Sequence, residues 1–138
     1  MAPLYLRLPL ERLAAHERGP LGATIALFEP IVTVREEVAV FAYLDPKWRL
    51  LGMRHMPSGL SDAVTIPLRE IVSDALAFDC TTVVMAHNHP SGDPTPSDAD
   101  YALTRRLARA LELVGVRLFD HLVLARDGCE SFRQRGLL

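Results

Sequence analysis

A short β-branched run that empties into two histidines constrains this chain more than any other stretch. Residues 82–86, Thr-Val-Val-Met-Ala, are apolar and bulky at Cβ, which suits a buried strand and no surface loop. His87, Asn88 and His89 follow at its exit, and the fifteen positions 86–100 hold two histidines, three prolines and three aspartates. Side chains two apart on a strand share a face, so both imidazoles converge on one point, with Cα atoms about 7 Å apart. Pro90, Pro94 and Pro96 stiffen the loop, Gly92 lets it bend, and Ser97 carries the chemistry of a helix start. Asp100 then falls in the first turn of that helix, from which a carboxylate reaches back to the strand end. Two imidazoles, one carboxylate and a water suit a zinc ion with an open, catalytic position. The spacing Ser97-x-x-Asp100 also describes a capping box. Ser97 fits both roles at once, whereas in Asp100 cap and metal compete, and the metal role is the favoured one.

The rest of the chain is read around this stretch. At 138 residues it makes one domain with a sizeable core. Residues 1–30 read as an N-terminal extension of short helical segments packed on the domain, 21–28 being a helix with Pro20 at its start. Residues 31–138 form the domain proper. Segments 37–44 and 48–56 flank Asp45-Pro46 and predict a hairpin of core strands. Segment 66–78 predicts a helix whose apolar stripe is Ile66, Ile71, Ala75 and Phe78. A second helix over 97–114 turns Leu103, Leu107, Leu111 and Val114 inward and stops at Gly115. Residues 116–125 predict a strand, 126–128 a turn, and 129–135 a closing strand. The fold class is α/β, a mixed sheet flanked by helices in a single domain.

Composition narrows the function classes. The formal net charge of −2 gives no electrostatic footprint for nucleic acid or an anionic membrane. No stretch approaches the ~18 apolar residues that span a bilayer, and no leader-like start is seen, so a cytoplasmic protein is expected. Cys80 and Cys129 form no Cys-x-x-Cys motif and read as packing residues in a reducing compartment. Asp93 and Asp98 read as solvated carboxylates, His16 and His55 as surface residues, and Trp48 as core filler beneath the hairpin. His121, in an apolar strand, reads first as a satisfied core histidine, with a role behind the metal ligands as the alternative.

His87-x-His89-Pro90, six residues, Ser97, two residues and Asp100 resemble the JAMM signature of the JAB/MPN-plus zinc metallopeptidases. The fuller run His-Asn-His-Pro-Ser-Gly-Asp-Pro-Thr-Pro-Ser resembles the bacterial RadC branch in particular. Leu44-Asp45 with Arg49-Leu50, residues 69–72, Asp120-His121 and residues 131–136 extend the likeness over roughly 35–138. RadC proteins usually carry a helical segment ahead of this domain, and 138 residues leave no room for it, so a stand-alone JAB domain is expected. The resemblance implies a JAB/MPN-like fold and a zinc-dependent peptidase or isopeptidase acting on a peptide or isopeptide-linked protein. It implies Zn2+ held by His87, His89 and Asp100, with Ser97 steadying the oxyanion or the attacking water. It further implies an upstream glutamate as general base. Of Glu36 and Glu37, the position eight residues before Asp45 is Glu37, and neighbours on a strand face opposite ways. The fold must then bring the start of the first core strand beside the end of the 81–86 strand. The principal alternative is a non-catalytic partner-binding or DNA-repair-associated RadC-like domain, against which the intact ligand set argues. An HNH-type metal-dependent nuclease is weaker, since that class spreads its three residues over a ββα finger. Zinc deaminases need His-x-Glu and Pro-Cys-x-x-Cys, which are absent.

Overall fold

The central strands are apolar on both sides because both of their faces are covered. The computed structural model describes residues 28–57 and 68–138. After a 3-10 turn at Glu29–Ile31 come β1 (Val38–Leu44), β2 (Leu50–Pro57), α1 (Leu68–Ala77), β3 (Thr82–Asn88), α2 (Asp98–Glu112), β4 (Arg117–Ala125) and β5 (Gly128–Ser131). The sheet order is β2-β1-β3-β4-β5. Among the described strands only β3 and β4 pair in parallel, and α2 supplies the crossover that a parallel pair requires. This is the expected α/β architecture, a mixed sheet with helices.

Alternate residues of β1 and β3 feed two apolar layers. Phe41, Tyr43, Val83 and Met85 pack on Ile71 and Ala75 of α1 and on Leu103, Leu107 and Leu111 of α2. Val40, Ala42, Val84 and Ala86 face the other way, onto Phe28, Ile31, Phe119 and Leu122. Strands buried on both faces read as near-continuous apolar runs, which is why 37–44 and 82–86 are legible as strands.

Several expectations shift in detail. β1 starts at Val38, so Glu37 stands one residue before the strand. Trp48 lies in the β1–β2 turn with φ +62°, half-buried and edge-on to Phe119 at 4.7 Å, and does not begin β2. That turn is built by Asp45, whose Oδ1 accepts the Lys47 and Arg49 amides at 2.8 and 2.9 Å. Val114 is 36% exposed because α2 ends at Glu112; Gly115 reverses the chain at φ +75° and Val116 takes the inward place. Cys80 packs in the core as expected, but Cys129 is exposed on the edge strand β5. His55 is half-buried on β2 and not a surface residue, and burial lowers its pKa. β5 is shorter than expected because the chain turns after Ser131. The readings on residues 1–27, His16 included, and on Ile66 lie outside the described residues.

One polar cluster crosses this core. Tyr43 on β1 donates its hydroxyl to Asp74 Oδ2 on α1 at 2.8 Å. Arg54 on β2 grips the same carboxylate with two nitrogens and reaches Glu70 at 3.1 Å. Burial, reinforced by Asp74, pushes the Tyr43 phenol well up, so it stays a neutral donor. Removing Arg54 takes the cation away from a buried carboxylate. Arg54→Leu is expected to lower unfolding stability by roughly 3 kcal/mol in urea titration; an unchanged midpoint would show that the cluster contributes nothing.

Candidate metal centre

The centre forms where β3 leaves the sheet. Ala39 of β1 pairs with His87 of β3, so the start of β1 lies beside the end of β3 as the sequence reading required. Asn88, between the two histidines and fully buried, locks that junction. Its Oδ1 accepts the Val38 amide at 2.7 Å, and its Nδ2 donates to the carbonyls of Val34 and Glu36 at 2.9 Å each. Three bonds across some fifty positions thus pin residues 34–38 and aim Glu37 at the strand end. Donor atoms of Glu37, His87 and His89 all lie within 4.8 Å of one another.

Asp100 closes the group from the other side. Its Oδ1 lies 3.3 Å from His87 Nε2 and its Oδ2 3.3 Å from His89 Nε2, while the two Nε2 atoms are 2.8 Å apart. The capping box is also present: Ser97 N donates to Asp100 Oδ2 at 2.8 Å, and Asp100 N donates to Ser97 Oγ at 3.1 Å. The sequence reading set cap and centre in competition for Asp100; instead the capping box forms on the same carboxylate that lies 3.3 Å from both imidazoles. The cap takes one lone pair and orients the carboxylate toward the imidazoles. Burial pushes the Asp100 carboxyl up, but the His87 imidazole at 3.3 Å and the Ser97 amide outweigh it and hold it well below the usual range.

The donor set fits a small cation. Zinc–ligand bonds of about 2.0–2.1 Å in a tetrahedron put neighbouring ligand atoms about 3.3 Å apart. The observed separations of 2.8, 3.3 and 3.3 Å are of that size. His89 Nδ1 faces the Asp93 carbonyl at 2.9 Å, a group that only accepts, so Nδ1 carries the proton and Nε2 offers a lone pair. Asp93 thus serves through its backbone, while its own carboxylate holds Thr95 and stays exposed as expected. Glu37 is half-buried and Asp100 1% exposed, so Glu37 is the carboxylate of the two that is open to solvent. Ser97 is exposed, its hydroxyl accepting from α2 with its proton left for an outer acceptor. A cleft of ≈ 390 Å³ opens beside His89 between Val34, Pro90, Arg35 and Arg126.

Behind His87 stands His121, whose Nε2 is 2.7 Å from His87 Nδ1 and whose Nδ1 is 2.6 Å from Thr104 Oγ1. His121 is the satisfied core histidine expected of it, and it stands directly behind His87. Burial, and then the proximity of His87, hold it well below the ordinary histidine range. The neighbouring Asp120 accepts the amides of His121 and Arg133 and the Ser131 hydroxyl, tying the C-terminal turn to β4. Asn88 and Thr104 are the residues that sequence reasoning missed. Thr104 sits one turn after Asp100 on the buried face of α2, a spacing visible in the chain.

A mixed sheet that presents a His-x-His strand end to a helix-borne aspartate defines a small α/β domain with a candidate metal centre. The chain belongs to the RadC-like JAB domain family, which it matches over residues 22–137. It is 40% identical over 132 residues to a UPF0758 protein of Alcanivorax borkumensis, covering 96% of this chain and 58% of that one. A UPF0758 protein of Stenotrophomonas maltophilia is 37% identical over 138 residues, 100% of this chain and 59% of the relative. One from Bordetella avium is 41% identical over 102 residues, 74% and 45%. The chain thus spans about half the length of these curated relatives. Among the described residues no helix is long and apolar enough to cross a membrane.

The Asn88 lock is testable by reversing one of its polarities. Asn88→Asp keeps the acceptor for Val38 but turns an oxygen toward two carbonyls. A stability loss of about 2–3 kcal/mol against the wild type is expected at pH 7. Part of it should return at pH 4, where the new carboxyl is raised, protonates and donates. Equal stability at pH 7 would show that segment 34–38 is held by other means.

Proposed function

We propose that this domain is a zinc-dependent hydrolase of peptide or isopeptide bonds. The observation that carries the reading is the convergence of His87, His89 and Asp100 at metal-ligand spacing, with a second, half-buried carboxylate, Glu37, beside them. His87, His89 and Asp100 are the ligands in this reading. Asp100 is preferred to Glu37 as third ligand because it is buried, oriented by its cap and 3.3 Å from both imidazoles. A zinc ion held there supplies Lewis acidity, lowering the pKa of water toward about 7 and polarising the scissile carbonyl.

The remaining work belongs to the chain's own groups. Glu37 takes a proton from the attacking water as its oxygen joins the carbonyl carbon. It returns that proton to the amine as the C–N bond breaks, so the carboxylate is regenerated. Ser97 directs its free hydroxyl proton at the developing oxyanion or the water. The cleft beside His89 gives an extended chain access to this point.

Metal analysis tests the reading first. About one zinc per chain is expected in the purified protein, and none in His87→Ala/His89→Ala. Metal-free wild type, or zinc that survives the double change, would end it. In zinc-loaded protein acting on a peptide and isopeptide library, Glu37→Gln is expected to keep its zinc and lower kcat by roughly 10²–10⁴-fold. Chelation should abolish turnover as well. Wild type that holds zinc yet hydrolyses neither substrate class, and only melts earlier when chelated, would make this a binding domain with a structural ion.

A further inference from the structure

The geometry points to Thr104 and His121 as positioning residues: with His87 and the Asp100 carbonyl they form a buried hydrogen-bond relay that fixes which His87 nitrogen carries the proton. The proposal rests on the metal-centre reading above and adds to it how the first ligand is set.

The order of protons along the relay follows from its end. Thr104 Oγ1 is 2.7 Å from the Asp100 carbonyl, which only accepts, so the single hydroxyl proton points there. The hydroxyl must then accept from its other neighbour, His121 Nδ1, at 2.6 Å. His121 therefore carries its proton on Nδ1. The ring is fully buried, and its partners are Thr104, His87 and the face of Phe132, none of which is an anion. Its other nitrogen, Nε2, is turned to His87 Nδ1 at 2.7 Å. His87 Nε2 faces His89 and Asp100 and is the ligand atom in this reading, so the His87 proton sits on Nδ1 and is donated to His121 Nε2.

Both ends of the relay are metal ligands in this reading. It begins on the backbone of Asp100 in α2 and ends on the ring of His87 in β3, so helix and strand are tied behind the centre before any ion arrives. His87, Asp100, Thr104 and His121 are each at most 2% exposed, so water does not compete for these bonds. Phe132 lies flat on His121 at 4.6 Å and 11°, and Asp120 holds the turn that carries Phe132 through the Ser131 hydroxyl and the Arg133 amide. The C-terminal Ser131-Phe132-Arg133 stretch thereby backs the metal centre at one remove. Groups that orient a ligating histidine in this way typically change metal affinity by 10–100-fold when removed.

Two readouts test the relay. In metal-free, 15N-labelled protein at pH 7.5, long-range 1H–15N correlation should show His121 as the Nδ1–H tautomer. Zinc affinity, read by competition with a chromogenic chelator, should fall by about 10–100-fold in Thr104→Val and His121→Leu. His121→Gln offers an acceptor and a donor and should recover most of that loss. An Nε2–H tautomer at His121, or folded variants with wild-type zinc affinity, would overturn the proposal. If His121→Leu does not fold, the near-isosteric Thr104→Val decides the affinity arm. Wild type that binds no zinc would defeat the metal reading, while the tautomer measurement would still decide the relay.

Discussion

The register of β1 on β3 is the constraint on which the centre depends. With Ala39 opposite His87, the chain entering β1 must pass the exit of β3, and Asn88 converts that passage into a fixed arrangement. A slip of β1 by one residue would invert that strand, sending Phe41 and Tyr43 to the opposite face and Glu37 away from the histidines. Burial on both faces prevents that slip, since each strand has an apolar partner layer on either side. The apolar core and the site are therefore specified by one register.

Asp100 shows how a helix start serves a polar site inside such a core. The first amides of α2 need acceptors, and a carboxylate three residues into the helix supplies one by bonding the Ser97 amide. That bond leaves the remaining lone pairs facing His87 and His89. On the same helix face Thr104 takes up the Asp100 carbonyl and continues to His121. Thr104, His121 and the Asp100 carbonyl are matched to one another, so among the described residues this relay leaves no buried donor unmet.

What was legible in the chain follows from range. His87, His89, Ser97 and Asp100 lie within one strand exit and one helix start, so local periodicity and turn chemistry bring them together. Glu37 came only from counting back along a family resemblance, because no local rule distinguishes it from Glu36. Asn88 was overlooked for the opposite reason: its partners are some fifty positions away, and between two histidines it looks like a spacer. Asp74 broke the apolar stripe of α1, the sign of a buried polar partner, but Tyr43 and Arg54 lie on other elements. Val114 and Trp48 were misjudged at element ends, where a left-handed residue, Gly115 or Trp48 itself, turns the chain before the pattern is complete.

The division of labour between two carboxylates is the core of the functional account. One is buried, capped and held to the imidazoles; the other stands at the strand entry with access to solvent. Zinc-edge anomalous diffraction from crystals grown with the metal tests that division most directly. The account predicts a single peak about 2.0–2.2 Å from His87 Nε2, His89 Nε2 and an Asp100 oxygen, with Glu37 outside bonding distance. A peak bonded to Glu37 in place of Asp100, or no peak at this position, would contradict it.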